Sequence, residues 1–258
     1  MDLAFITSYP RETMHFMRLP PLRQLAGLMA RLLLAGLAVA LPAAHAARPM
    51  ITDDARIVDP KACQVESWVR ANGVGPGLAW AVPGCNPTGN LELSAGAGYE
   101  RPGGEGRVLA SLVQGKTILR PLRTHDWGMG LTLGYATDRP AGGLHQSGPY
   151  LNVPMSASLF NDRLVMHLNL GARRPHPEGQ TLGTWGLGSE TRLHERVQLI
   201  LETFGERNAR PLLHGGLRFW VVPDRVQIDT TMGGDSRGSQ ESRWVSIGLR
   251  LLSPPFLP

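Results

Sequence analysis

Side chains able to do chemistry are few and scattered in this 258-residue sequence. Beyond residue 50 the histidines are His125, His145, His167, His176, His194 and His214, and no two stand at i, i+2 or i, i+4 spacing. That spacing would put a pair on one face of a strand or helix, so no metal site is expected. His176, between Pro175 and Pro177, reads as a solvated loop residue. His167, Ser246 and Asp229 supply the residue types of a base, a nucleophile and an acid, but no Gly-x-Ser-x-Gly elbow and no His-Glu-x-x-His accompanies them. Gly103-Gly104-Glu105-Gly106 lacks the Lys-Ser/Thr ending of a phosphate-binding loop. No catalytic residue and no cofactor is expected. Two cysteines remain, Cys63 and Cys85. In an oxidising compartment they are most simply a disulfide. A two-cysteine metal site drawing on Asp59 and Glu66 is the alternative.

The remaining polar side chains fall into a pattern. Glu66, Glu92, Lys116, His167, Asn169, Glu190, Glu202, His214, Arg218, Asp229 and Arg250 fall in one phase of an alternating chain, opposite its more apolar face. From Cys63 onward the chain has period two, broken by Gly, Pro, Asn and Asp. Val245, Ile247, Leu249 and Leu251 share one face, with Trp244, Ser246, Gly248 and Arg250 on the other. Leu164, Met166, Leu168 and Leu170 oppose Val165, His167, Asn169 and Gly171. Trp127, Met129, Leu131, Leu133 and Tyr135 oppose Gly128, Gly130, Thr132, Gly134 and Ala136, and Leu91, Leu93, Ala95, Ala97 and Tyr99 oppose Glu92, Ser94, Gly96, Gly98 and Glu100. Such segments fall near residues 63–72, 76–83, 90–100, 106–120, 126–138, 149–160, 163–174, 180–193, 196–207, 210–221, 225–236 and 242–252. Globular strands usually run about 5–6 residues. These are longer and match the roughly 9–11 residues with which a tilted strand crosses a bilayer. The expected fold class is all-β, an antiparallel up-and-down transmembrane β-barrel of about 12 strands over residues 63–258. The polar set named above would then face the lumen and line the pore of a passive channel, or pair off as structural charges in a narrow or plugged bore. A soluble sandwich also alternates, so a secreted or periplasmic β-protein binding a ligand or partner is the alternative.

Composition agrees with a β-rich chain. The 31 Gly and 21 Pro exceed ordinary usage and argue against a helical bundle. A mean hydropathy of -0.11 excludes a multi-helix membrane protein but not a barrel, whose strands average out. The net charge of +5 comes almost wholly from Arg, without a dense cluster, so no nucleic-acid partner is expected. At the N-terminus an apolar run over residues 32–41 follows Arg18, Arg23 and Arg31 and precedes Ala44-His45-Ala46. This series reads as a secretory signal, residues 1–46, expected to be cleaved after Ala46 or after Ala47, with a single anchoring helix as the alternative. A start at Met29 would make it compact. Residues 47–62 would follow as an N-terminal periplasmic segment.

With both termini periplasmic, short turns fall at Asn161-Asp162, His194-Glu195 and Pro223-Asp224, with longer ones near 84–89 and 121–125. Outer loops fall near 73–75, 101–105, 139–148, 175–179, 208–209 and 237–241. Cys63 and Cys85 then share the periplasmic rim of the first hairpin. Trp127, Phe160 and Phe219 would sit at the periplasmic interface, and Tyr99, Tyr135 and Tyr150 at the outer one.

Met50-Ile51-Thr52-Asp53-Asp54, followed by Gln64-Val65-Glu66, resembles the opening of a family of Gram-negative outer-membrane proteins associated with the meta-pathway of phenol degradation and described as transporters. Leu168-Asn169-Leu170-Gly171, Trp185-Gly186-Leu187-Gly188, Leu201-Glu202-Thr203-Phe204-Gly205 and Arg243-Trp244-Val245-Ser246-Ile247-Gly248-Leu249 are similar to its later strands. Ala55-Arg56-Ile57-Val58 replaces the glycines that usually follow Thr-Asp-Asp, and the cysteine pair is outside the general pattern, which points to a side branch. The resemblance implies a passive channel or transporter for small solutes, embedded in outer-membrane lipid. The sharpest expectation for the lumen is that Glu202 and Arg218 face inward and belong to a charge network that constrains the bore, with direct contact between the two left open by the unknown stagger of the strands.

Overall fold

A computed structural model of the protein describes residues 50–73, 77–101, 108–138, 146–177 and 179–258. The expected signal peptide and its cleavage site at Ala46 lie outside the described residues. Within them the alternating segments form twelve strands: β1 (Cys63–Asn72), β2 (Gly77–Cys85), β3 (Leu91–Arg101), β4 (Val108–Arg120), β5 (Trp127–Asp138), β6 (Gln146–Leu159), β7 (Leu164–Arg173), β8 (Leu182–His194), β9 (Val197–Glu206), β10 (Leu212–Val222), β11 (Val226–Asp235) and β12 (Trp244–Leu252). Each pairs antiparallel with its neighbours in sequence, and β1 pairs with β12 to close a barrel. Closure satisfies every strand from both sides, which in hydrocarbon is the one arrangement open to an all-β chain.

The burial pattern is inside out relative to a soluble protein. Among the described residues, 18 buried side chains are polar or charged and 9 are apolar, so the interior is not a hydrophobic core. Large apolar side chains face outward instead. Val113 and Leu133 are each 57% exposed and Ile247 is 56% exposed, in the phase that puts Lys116, Thr132 and Ser246 inside. In water each such side chain would forgo roughly 1.5–3 kcal/mol of burial. Against lipid it forgoes nothing.

One rim is tied together tightly. Cys63 and Cys85 stand directly opposite each other on β1 and β2 and form a disulfide. The Lys61 carbonyl accepts the Phe256 and Leu257 N–H groups at 2.9 and 3.0 Å, and the Lys61 N–H donates to the Asn86 carbonyl at 2.8 Å. Short turns lie on the same rim. Asn161, Asp162 and Asp224 adopt φ of 55°, 58° and 55°, a left-handed conformation that Asn and Asp tolerate best after Gly.

Three expectations differ from the structure. β6 begins at Gln146 rather than 149, because its ladder with β5 carries Gly148 and Pro149, which read locally as loop formers. Tyr150 points inward and not to an interface; it shares the inward phase of Asn152 and Ser156, and its hydroxyl donates to Gln114 Oε1 at 2.6 Å. Trp127, Phe160, Tyr99 and Tyr135 are exposed as expected. Most consequentially, residues 47–62 do not all lie outside the barrel: residues 50–58 run inside it.

Candidate functional site: a segment held in the lumen

Residues 50–58 have no secondary structure of their own, so their backbone donors need partners from the wall. The wall supplies polar side chains at matching heights. Glu202 of β9 accepts the Ile51 N–H on Oε1 at 2.9 Å and the Thr52 N–H on Oε2 at 2.7 Å. Asn169 of β7 works in both directions: its Oδ1 accepts the Asp53 N–H at 2.8 Å, and its Nδ2 donates to the Asp53 carbonyl at 2.7 Å. Ser156 Oγ of β6 accepts the Ala55 N–H at 2.8 Å. Glu92 Oε2 of β3 accepts the Val58 N–H at 2.8 Å, and Asn86 Nδ2 donates to the Val58 carbonyl at 2.8 Å.

Charge adds a second set of ties. Lys116 Nζ of β4 lies 2.8 Å from Asp53 Oδ1 and 3.4 Å from Asp54 Oδ1. Arg56 reaches back to Glu190 of β8 at 3.8 Å. Asp54 sits on the inserted segment and not on a strand. Burial pushes its carboxyl up, but Lys116, Arg56 and His167 together outweigh burial and hold it below the ordinary carboxylate range. Close approach needs space, and Gly186 and Gly188 of β8 provide it. A Cβ at Gly186 would lie 2.8 Å from Thr52 Oγ1, and one at Gly188 would lie 2.4 Å from Met50 Cε. Thus the Gly-x-Gly of Trp185-Gly186-Leu187-Gly188 is the floor on which the segment rests.

The wall residues behind this contact surface form clusters that brace it. His214 Nδ1 of β10 donates to Glu202 Oε1 at 2.6 Å, and His214 Nε2 pairs with Thr231 Oγ1 of β11 at 2.7 Å. His167 Nδ1 bonds Ser156 Oγ at 2.8 Å. Arg218 of β10 pairs with Glu190 and, at 3.1 Å, with Asp229 Oδ1. At the disulfide rim Arg250 lies 3.5 Å from Glu66 and donates to Gln64 Oε1 at 2.8 Å. A cavity of about 70 Å³ remains beside the segment, bordered by Asp53, Asp54, Lys116, Arg218 and Arg250. One water needs about 10–15 Å³ by this measure, so a few waters fit and an organic solute does not.

All eleven residues expected to line a pore are buried or half-buried in the interior. Glu92, Lys116, Asn169, Glu190 and Glu202 touch residues 50–58 directly, while His167, His214, Arg218, Asp229, Glu66 and Arg250 stand behind or below them. The expected single network of Glu202 and Arg218 divides in two. The register places Glu202 opposite His214, and Arg218 opposite Gln198 and Asp229, so each charge finds a different partner. His167, Ser246 and Asp229 also stay apart: Ser246 bonds Thr231, and Asp229 bonds Arg218 and Gln227. Sequence reasoning missed Ser156, Asn86 and the Thr52-Asp53-Asp54 element as parts of the site. The inward phase of Ser156 in β6 was the available signal for the first.

Comparison with solved structures finds the same architecture. A KdgM porin in complex with disordered oligogalacturonate superposes with a TM-score of 0.56 at 8% identity, covering 73% of this chain and 98% of that one. A NanC porin superposes with a TM-score of 0.50 at 11% identity, covering 74% of this chain and 98% of that one. At such identities the likeness shows the fold, an outer-membrane porin-type barrel. No curated protein gives a significant sequence match. The chain belongs to the family described as uncharacterised conserved protein UCP029691, which matches residues 33–252.

Proposed function

We propose that the protein is a passive channel for small solutes in the outer membrane of a Gram-negative bacterium, held closed at rest by residues 50–58. One observation carries the reading: beside the buried Met50, Ala55 and Val58, the inserted segment is fastened to a polar lumen by a run of hydrogen bonds and ion pairs. Such contacts exchange with water as the segment leaves, so opening costs far less than it would from a dry core. Glu66, Glu92, Lys116, His167, Asn169, Glu190, Glu202, His214, Arg218, Asp229 and Arg250 become the pore lining once the segment moves. A wall bearing both signs of charge is the usual means of setting ion selectivity.

The exposed apolar band supports lipid as the surrounding solvent and disfavours the soluble alternative. The KdgM porin structure, with its bound oligogalacturonate, supports a small solute as the cargo of such a barrel. The reading includes removal of residues 1–46 on export and no enzymatic step. A relation to the outer-membrane family of the phenol meta-pathway rests on the motifs around Thr52-Asp53-Asp54 and is part of the proposal. Two experiments test it. The native protein should fractionate with outer membranes and migrate in a heat-modifiable way on gels, and in planar bilayers it should be mostly closed with brief openings. Recovery as a soluble periplasmic protein, or complete absence of openings under any voltage, would overturn it.

A further inference from the structure

The wall grips residues 51–55 through their backbone and two acidic side chains, as a binding groove grips a peptide. Asn169 of β7, 6% exposed, meets both the N–H and the carbonyl of Asp53, at 2.8 and 2.7 Å. Asn152 Nδ2 of β6 donates to the same Asn169 Oδ1 at 2.8 Å, which fixes the orientation of the amide. To either side, Glu202 accepts the N–H groups of Ile51 and Thr52, and Ser156 Oγ accepts that of Ala55. None of these contacts depends on which side chain the segment carries. Lys116 of β4, 5% exposed, reads the side chains instead. Asp53 and Asp54 are its ion-pair partners, and Thr132 Oγ1, directly opposite Lys116 in the β4–β5 register, lies 3.5 Å from Asp53 Oδ2. When the segment leaves, Arg218 keeps Glu190 and Asp229, and Arg250 keeps Glu66. Lys116 has no ion pair to the wall among the described residues. Glu92, its register neighbour on β3, is held by Gln64 Nε2 and Ser94 Oγ at 3.0 and 3.2 Å.

We propose that the open lumen takes short acidic peptides, bound where residues 51–55 sit in the closed barrel. Backbone chemistry is the first argument. Every peptide residue other than proline brings one N–H and one carbonyl, the pair that Asn169 meets. Sign is the second. An ionised Glu202 only accepts and requires donors, whereas Lys116 requires a carboxylate. A plain dicarboxylate satisfies Lys116 and meets Glu202 with like charge. A peptide with an acidic side chain one or two residues after its donors satisfies both, as Asp53 does after Ile51 and Thr52. Size is the third. The segment is itself a peptide that fits this bore, and the cavity of about 70 Å³ beside it holds only a few waters, so a free peptide binds in its place and not next to it. The inference names the solute class of the proposed channel and rests on that reading for release of the segment, but peptide binding can be measured without conduction.

The test is calorimetric titration of the folded, full-length exported protein in detergent with two end-capped pentapeptides, Ile-Thr-Asp-Asp-Ala and Ile-Thr-Asn-Asn-Ala. The tethered segment competes with them, so the double variant Asp53→Asn, Asp54→Asn is titrated beside wild type; it keeps the wall and removes the segment's hold on Lys116. The variant should bind the acidic peptide saturably at one site, about tenfold or more tightly than wild type does. It should also prefer the acidic peptide to the amide peptide by about tenfold or more, the worth of one charge-assisted hydrogen bond. Lys116→Gln added to the variant should bring the two peptides to equal affinity. Methylating the N–H of the first aspartate in the acidic peptide, the donor that Asn169 accepts, should weaken it by about tenfold. Succinate and galacturonate, at the concentration of the acidic peptide, should not displace it. Absence of saturable binding in heat-modifiable variant protein, equal affinity for the two peptides with Lys116 present, undiminished affinity of the methylated peptide, or displacement by succinate or galacturonate would overturn the proposal. A barrel that conducts in planar bilayers without binding the acidic peptide defeats the peptide site alone. One that binds it and never conducts defeats the channel reading alone.

Discussion

Replacing Glu202 by Ala removes the clamp at the deepest point of the inserted segment. Its two oxygens accept the Ile51 and Thr52 N–H groups at 2.9 and 2.7 Å, so the substitution leaves two donors and the His214 Nδ1–H without their acceptor. A hydrogen bond to a charged group contributes about 1.5–3 kcal/mol. Two at the low end give about 3 kcal/mol, a shift of roughly 150-fold in the ratio of open to closed segment. Glu202→Gln retains one carbonyl acceptor and should shift the ratio by about tenfold, the worth of one such bond. The assay is single-channel recording in planar bilayers, read as the ratio of open to closed dwell time, with heat-modifiable migration as the check that each variant folds. Folded Glu202→Ala with the wild-type ratio, or a larger effect from Glu202→Gln than from Glu202→Ala, would refute the reasoning.

Serine at both Cys63 and Cys85, 22 residues apart, should lower stability by about 3 kcal/mol through the freed unfolded chain, read as a lower urea midpoint for barrel unfolding. Arg218→Ala should cost about 3–5 kcal/mol, because it leaves Glu190 and Asp229 buried without their shared cation, and thermal melts followed by heat-modifiable migration should show it. At the short turn between β6 and β7, the Ser158 and Thr124 hydroxyls hold the Asp162 carboxyl below its ordinary value. The stability this contributes is present above the unfolded carboxylate value of about 3.9 and is lost as pH falls through the lower folded value. Wild type should therefore exceed Asp162→Asn in stability at pH 7 and converge with it in strong acid.

The strands were legible because two solvents write them. Lipid outside and polar lumen inside impose a period of two on β3, β5, β7 and β12, and each inward charge on those strands stands where the alternation puts it. Tyr150 was misread because its aromatic ring suggested an interface, although its phase with Asn152 and Ser156 already pointed inward. The inserted segment was not legible. Residues 50–58 have no periodicity, and their partners lie up to 151 positions away, as in the bond from Ile51 to Glu202. Nor does one sequence reveal stagger between strands. Glu202 and Arg218 both face inward as read, yet the β9–β10 register sets His214 beside the first and Gln198 beside the second. The disulfide was legible because it joins directly opposed residues of one hairpin, where order in sequence and neighbourhood in space coincide.

Fastening the segment in place tests the central claim most directly. A Cβ built at Gly186 lies 3.5 Å from Thr52 Cβ, within the range for a disulfide, and the two native cysteines are already paired with each other. The double variant Thr52→Cys, Gly186→Cys should cross-link on oxidation in the folded barrel, abolish openings in planar bilayers, and recover them when a mild reductant breaks the new bond. Failure of the pair to cross-link, or openings as frequent in the cross-linked protein as in the reduced one, would contradict a lumen closed by residues 50–58.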